Sequence, residues 1–425
     1  MNKFEGLIQG KKVLVFGLGR QGGGTGDRDY LIRHGAIVRV SDTDLSLAPE
    51  GQTKEQINWA DMIIKNPGVS DGHELIVYAH TLKKPVLTSI AVFVKYAGIT
   101  TIGVTGTRGK STTVALIKAV LEESFPGQII AGGNIPGTSG LSLLDQLGGK
   151  KYAVLELSSF QLHNFHDLQV SPNISIITNL YPDHLNRYKT MGDYAYDKQA
   201  ICQYQGEENF CLYNQNNPGS VQIMTVGSGK KIAYSATDYF IWDTKLPGLH
   251  NKENISACAT LAQVLKIDNN LVKRVIADFT GLKYRLETIR IVNGVTYIND
   301  TTSTTPVAAI KALQSLTSPT IWITGGDTKN IPHDDLLTEV ESNKYLVKVI
   351  ILGSKNIPDY VDSLKQILGQ KVIAQVFSMD EAVTLASESS DDGYNVLLSP
   401  GFSSFDLFKN EFARGDQFSE LVHKL

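Results

Sequence analysis

Residues 103–113 read GVTGTRGKSTT. The run leaves an apolar stretch, TTIGV (100–104), and enters VALIKAVLEES (114–124), whose apolar residues recur at helical spacing. Strand, glycine turn and helix in that order predict a phosphate-cradling loop in an α/β domain. Gly106 and Gly109 let backbone N–H groups turn inward, with Thr107 between them. Lys110 meets the β- and γ-phosphate charge, and Ser111, followed by Thr112, offers a hydroxyl to Mg²⁺ at a helix start that favours anions. The generic spacing G-x(4)-G-K-[ST] is not met, because Val104 stands where its first glycine would fall. The loop follows the variant T-G-T-x-G-K-[ST], and ATP is the expected nucleotide. A ligand-free strand-to-helix turn is the rival reading, disfavoured because glycines, Lys-Ser and the strand–helix context coincide.

Working outward, apolar β-rich runs alternate with helical patterns almost throughout, which predicts an α/β chain of mainly parallel sheets covered by helices. At 425 residues the chain is long enough for about three domains. The first, 1–97, contains KKVLVFG, AIVRVSD, DMIIKNPG and PVLTSI; the second, 98–281, contains TTIGVTG, KYAVLELS and ISIITNL. The third, 282–425, contains VTYIND, TIWITGG, KVIILG, VIAQVFS and NVLLSPG. The glycine run GGGTG at 22–26 reads as a ligand-facing or flexible turn.

With 40 basic and 43 acidic residues the formal charge is −3, so the broad cationic field of a nucleic-acid binder is missing. Cys202, Cys211 and Cys258 show no CxxC spacing, which speaks against a disulfide framework or a zinc site. No export signal opens the sequence and no apolar run approaches the roughly 20 residues that span a bilayer. A soluble, cytoplasmic protein without membrane insertion is expected.

Further candidate residues cluster where strands should end. Gly17 and Gly19 follow the first strand, and Asp42-Thr43 follow the next, about 20 residues on, as in a dinucleotide fold. With Pro67-Gly68 they could converge on a base, ribose and diphosphate; a turn serving only helix packing is the alternative. Glu156 ends a buried strand, where a carboxylate calls for a cation, either Mg²⁺ or a local Lys or Arg. Asp183 and His184 follow the strand ISIITNL. Lys198, in the helical pattern GDYAYDKQAICQY, reads by itself as a solvated surface lysine. Asn251 and Asn254 share one helix face and suit either adenine or phosphate recognition or helix capping. Arg285, Asp300, Lys329, Ser403 and Ser404 sit beyond strands or at a domain junction, suggesting a second substrate there.

Taken in order, TGTRGKSTT, LELSSFQL, NLYPDHLNRY, GLHNKEN, GLKYRLE, YINDTTSTTP, GGDTKN and SPGFSSFDLFKN resemble the Mur ligases of peptidoglycan precursor synthesis. LELSSFQL and SPGFSSFDLF point to the D-glutamate-adding branch. The resemblance implies a Rossmann-like N-terminal domain for UDP, a central P-loop ATPase domain and a Rossmann-like C-terminal domain for the amino acid. It implies a three-domain ligase that joins D-glutamate to UDP-N-acetylmuramoyl-L-alanine with ATP and Mg²⁺, and a monomer is expected. Lys110, Glu156, His184 and Lys198 would be catalytic, with Ser111, Glu156, His184 and a CO₂-derived carbamate on Lys198 as metal ligands. Asn251, Asn254, Arg285 and Asp300 would surround ATP. Asn134, Ser159 and Gln161 would join Gly17, Gly19, Asp42, Thr43, Pro67 and Gly68 around the UDP-sugar, while Lys329 and Ser404 would face D-glutamate. Two departures mark this chain: Thr302 stands where a lysine can stand, and Arg108 where asparagine is common. Rival classes are another Mur-type or folylpolyglutamate-type amide ligase, a nicotinamide-dependent oxidoreductase using GLGRQG, and a P-loop switch protein.

Overall fold

The computed structural model describes residues 3–19, 22–135, 138–183, 188–246, 249–327, 332–404 and 406–425. Three sheets form. The first has β1 (Lys12–Phe16), β2 (Ile37–Ser41), β3 (Met62–Lys65) and β4 (Val86–Leu87) in the order β2-β1-β3-β4, all parallel. The second has β5 (Thr100–Thr105), β6 (Ile129–Gly133), β7 (Tyr152–Glu156), β8 (Ile174–Ile177), β9 (Phe210–Asn214) and β10 (Lys230–Tyr234). Its order is β10-β9-β8-β5-β7-β6, again all parallel. The third comprises β11 (Glu287–Val292), β12 (Val295–Asn299), β13 (Thr320–Gly325), β14 (Leu346–Leu352), β15 (Val372–Val376) and β16 (Asn395–Gly401), ordered β11-β12-β16-β13-β14-β15. Only β11, a hairpin partner of β12, runs antiparallel there.

The strands predicted from long apolar runs are present. Four strands were not predicted: β6, β9, β10 and β11. β6 ends in two glycines, which weaken strand propensity. β10 and β11 are edge strands and carry charged residues on their more exposed positions, so no continuous apolar run marks them.

The chain forms two compact units, one ending at Phe279 and the other spanning Thr280–Leu425. The first unit holds two sheets because they share a core. One apolar cluster runs from Phe4, Val13 and Val15 through Ile90 and Phe93 to Leu141, Leu155 and Leu162. The helix Ser89–Tyr96 lies in that shared core, with Ser89 through Val94 all buried. Burying a helix on nearly every side removes the incentive for separate units.

The glycine run at 22–26 is not a flexible turn. Gly22 caps the helix Gly23–Arg33 in a left-handed conformation, and the remaining glycines form its first turns. At Gly24 a Cβ would overlap the Leu18 carbonyl, so the helix can approach the turn after β1 only without a side chain there. The same helix docks onto the segment after β6 through Asp27, which accepts hydrogen bonds from the Ser139 hydroxyl (2.5 Å) and the Leu141 N–H (3.2 Å).

Burial pushes the Asp27 carboxyl up to about 6. The folded state therefore holds the proton more tightly than the unfolded chain. This stabilisation is fully present below the unfolded carboxyl's range and is lost as pH rises through about 6. Asp27→Asn keeps a carbonyl acceptor without the buried charge. It is expected to melt at or above the parent's temperature at pH 7–8 and to flatten the fall in stability above pH 4, by roughly 1–3 kcal/mol. Thermal melts of both proteins across pH 4.5–8 check this; an unchanged pH slope would remove Asp27 from the account.

Candidate active site

The central sheet places the phosphate loop at the carboxyl end of β5, flanked by β7 and β8. The loop turns into the helix Lys110–Ser124 through Gly109, whose φ of 82° and contact with the Asn254 carboxamide both require glycine. Asn179, just beyond β8, braces the loop: its carbonyl accepts the Thr107 N–H (3.0 Å), and its carboxamide takes the Arg108 N–H (2.8 Å) and donates to the Arg108 carbonyl (3.2 Å). The Lys110 ammonium folds back onto the carbonyls of Gly106 (3.0 Å) and Thr107 (3.2 Å). Arg108 reaches toward Asp183 at 3.8 Å. Ser111 and Thr112 follow at the helix start, half-buried.

Asn251 and Asn254 lie inside the first turns of the helix Leu249–Val264, both buried. The Asn254 carbonyl accepts from the Thr113 hydroxyl (3.2 Å), and its amide donates to Asn251 (3.1 Å). Asn254 thus packs on the phosphate loop rather than capping its own helix.

Lys198 is not a surface lysine. It lies on the buried face of the helix Met191–Gln203, 1% exposed, and donates to the Gly106 carbonyl (3.1 Å) and the Thr105 hydroxyl (3.4 Å). Its ammonium lies 4.7 Å from the Tyr194 ring centre. Burial first, and the nearby Lys110 charge second, push its pKa well below the ordinary lysine value. The sequence pattern misplaces it because helix 191–203 buries residues on most sides, leaving little amphipathic signal.

Glu156 ends β7, in register with Val104 of β5 and Gly133 of β6, and is 6% exposed. It accepts a hydrogen bond from the Asn134 amide at 3.2 Å. Among the described residues no Lys, Arg or His pairs with it. A buried carboxylate without a counter-charge fits a cation ligand. Among the described residues no three His, Cys, Asp or Glu side chains converge as a metal cluster. The proposed ligand set is of another kind, combining Ser111, Glu156 and Lys198 with His184, which lies outside the described residues.

In the first sheet the turns after β1 and β3 adjoin at the point where strand order reverses. Gly17 and Gly19 both have positive φ, and Asp42 accepts the Gly19 N–H at 2.8 Å, so Asp42 shapes the turn directly. It also accepts the Asp44 N–H (2.9 Å) and the Thr43 hydroxyl (3.5 Å). The Gly68 N–H is held by the Asn66 side chain (2.9 Å), next to Pro67. Ser159 and Gln161 are buried at the start of the helix Ser159–His163; the Gln161 carbonyl completes a capping box with Ser158.

In the second unit, Asp300 follows β12 and is buried, with Oδ2 accepting from the hydroxyls of Ser303 (2.5 Å) and Ser399 (2.8 Å) and Oδ1 from the Leu286 N–H (3.1 Å). Burial pushes its carboxyl up to about 6. Arg285 is exposed and acts on Asp300 only through its charge. Ser403 bridges to Asp327, bringing the turn after β13 against the turn after β16, where Ser404 is buried. Lys329 lies outside the described residues.

The family profile described as Mur ligase middle domain matches residues 104–262. The chain is 31% identical over 464 residues to a UDP-N-acetylmuramoylalanine–D-glutamate ligase of Roseiflexus, covering 98% of this chain and 99% of the relative. It is 33% identical over 454 residues to the protein of that name from Christiangramia forsetii, covering 98% and 100%. The chain belongs to the Mur ligase family, in its D-glutamate ligase branch. The Mur ligase fold is also seen in a UDP-N-acetylmuramate–alanine ligase of Thermotoga maritima, with a TM-score of 0.59 at 18% identity over 97% of this chain and 99% of that one. A MurF ligase of the same organism, solved with ADP, gives 0.56 at 16% identity over 99% and 96%.

Within this Mur ligase, sequence reasoning missed several residues that shape the site. Tyr194, one helical turn before Lys198, places its hydroxyl 3.3 Å from that of Thr107; the four-residue spacing on a helix was the available signal. Asn179 carried the signal of an amide at a strand's carboxyl end. Arg414 carried none. It is 1% exposed on the helix Glu411–Lys424 and donates to the Thr301 hydroxyl and carbonyl and to the Phe402 and Ser403 carbonyls, knitting together the turns after β12 and β16.

Proposed function

We propose that this Mur ligase uses ATP to add D-glutamate to UDP-N-acetylmuramoyl-L-alanine, forming ADP and phosphate. The observation that carries the reading is the near-full-length similarity to D-glutamate ligases, in a chain whose phosphate loop, buried Glu156 and buried Lys198 lie at the carboxyl end of one sheet.

The alanine carboxylate is a poor electrophile. It first takes the γ-phosphoryl group from ATP, giving an acyl phosphate as ADP leaves. Two anions must meet in that step, and Lys110 with the N-terminus of the helix Lys110–Ser124 offsets their repulsion. The D-glutamate amine then attacks the acyl carbon, phosphate departs, and the amine gives up its proton. Mg²⁺, held by Ser111, Glu156, His184 and carbamoylated Lys198, would supply further positive charge against the phosphate oxygens. The depressed Lys198 pKa favours the carbamate, because CO₂ adds only to a neutral amine.

In this reading Thr107, Gly106, Gly109 and Thr112 complete the ATP cradle, with Asn251 and Asn254 beside it and Arg285 and Asp300 contributed by the third domain. Gly17, Gly19, Asp42, Thr43, Pro67, Gly68, Asn134, Ser159 and Gln161 take the UDP-sugar, and Lys329 and Ser404 take D-glutamate. The domains span 1–97, 98–281 and 282–425, and the enzyme works as a cytoplasmic monomer. Among the described residues no helix is long and apolar enough to cross a membrane.

Phosphate release measured with ATP, UDP-N-acetylmuramoyl-L-alanine and either glutamate enantiomer tests the reading. Release should require both the UDP-sugar and D-glutamate. Release that needs no UDP-sugar would point to a nucleotide switch, and release with a different amino acid to another Mur-type ligase.

A further inference from the structure

One polar assembly in the first unit has no role in the reaction as described. Lys65, at the end of β3 and 1% exposed, donates to the Val69 carbonyl (2.9 Å) and pairs with Asp71 (3.0 Å). Asp71 in turn faces His163 Nε2 at 3.2 Å. On the other side of the same ring, His163 Nδ1 lies 2.8 Å from Asp197, whose side chain is 7% exposed and which immediately precedes Lys198. The imidazole therefore stands between two carboxylates, one on the segment that follows Pro67-Gly68 and one on the helix Met191–Gln203.

A neutral imidazole would turn a lone pair toward one of those carboxylates; only the imidazolium presents N–H to both. With it, two cations, Lys65 and His163, balance Asp71 and Asp197. Burial and the two carboxylates act oppositely on the ring, and the carboxylates win: His163 is raised above the ordinary histidine value, chiefly by its hydrogen bond to Asp197. Asn164 also donates to Asp71 (3.3 Å), but its other partner is Asp167 (3.0 Å), so it does not extend to the helix. Phe160, Tyr188 and Tyr196 help line a cleft of about 320 Å³ beside the ring, so His163 is a polar strut at an open edge rather than part of a packed wall.

We propose that His163 is a positioning residue: bridging Asp71 and Asp197, it ties the segment after Pro67-Gly68 to the helix that holds Lys198 against the phosphate loop. The ligase reading supplies its kinetic readout. Occupation of the UDP-sugar side would thereby steady Lys198, and loss of the strut would uncouple the two.

The test uses the full-length protein, well below its melting temperature. His163→Ala is expected to lower kcat at saturating substrates by about tenfold and raise KM for the UDP-sugar severalfold, leaving KM for ATP within about twofold. Asp71→Asn should do the same, and the double variant should be no worse than the poorer single one, because both remove one strut. His163→Gln, which keeps one donor, should recover part of kcat. Lower melting temperature with unchanged kcat, or fully multiplicative losses in the double variant, would overturn the proposal. Should the wild type show no D-glutamate-dependent turnover, the ligase reading fails separately. Amide hydrogen exchange over 191–203 still decides the strut: faster exchange in His163→Ala supports it, and unchanged exchange refutes it.

Discussion

Lys110→Ala is expected to remain folded while D-glutamate-dependent phosphate release falls by about a thousandfold or more, some 4 kcal/mol of barrier. The fold should survive because the side chain is only half-buried and donates to the Gly106 and Thr107 carbonyls of its own loop. Little apolar area is lost with it. Turnover should not survive, because in the proposed reaction this ammonium offsets the charge where phosphoryl transfer brings two anions together. Thermal melting and phosphate release on the same preparation check both halves. Near-normal ligation by the folded variant would sink the phosphate-loop assignment.

Lys198→Ala should lose activity by about a hundredfold or more, through a different cause. In the structure its amine is buried against the Gly106 carbonyl, and burial with the Lys110 charge favours the neutral form. A neutral amine adds CO₂ and becomes an anion, which reverses the residue's electrostatic effect on the phosphates. Removing it should therefore leave an unfilled anionic position that formate or acetate partly restores. Some destabilisation is expected as well, since Lys198 is 1% exposed and its ammonium lies over the Tyr194 ring. Rescue by short carboxylates separates the two effects: a packing defect alone would not respond to them. Activity equal to the parent's, or an unmodified Lys198 in a nucleotide-bound crystal, would remove the carbamate from the mechanism.

Much of the architecture could be read from local pattern. The phosphate loop, the parallel strands with long apolar runs and the carboxyl-end placement of Glu156 and Asp300 follow from contiguous residues and short-range rules. Elements without a continuous apolar run were harder to find. β10 and β11 are edge strands that can expose charge, and β6 closes in two glycines, of which Gly133 lies against the Glu156 carbonyl of β7 and Gly132 against the Leu143 side chain. The run at 22–26 misled because glycines permit turns, whereas here they let a helix pack tightly on the Leu18 carbonyl.

The sequence by itself determined the residue types that can meet phosphate, the helix that follows them and the strand ends where charged groups collect. All of these depend on neighbours a few positions apart. The tertiary structure alone decided that Lys198 is buried and neutral-leaning, that Glu156 lacks a counter-ion among the described residues, and that Asp42 shapes the Gly17–Gly19 turn. It also decided that His163 stands between Asp71 and Asp197. Desolvation and charge pairing are set by groups tens of residues distant that packing brings within a few ångströms, and no local pattern encodes that proximity.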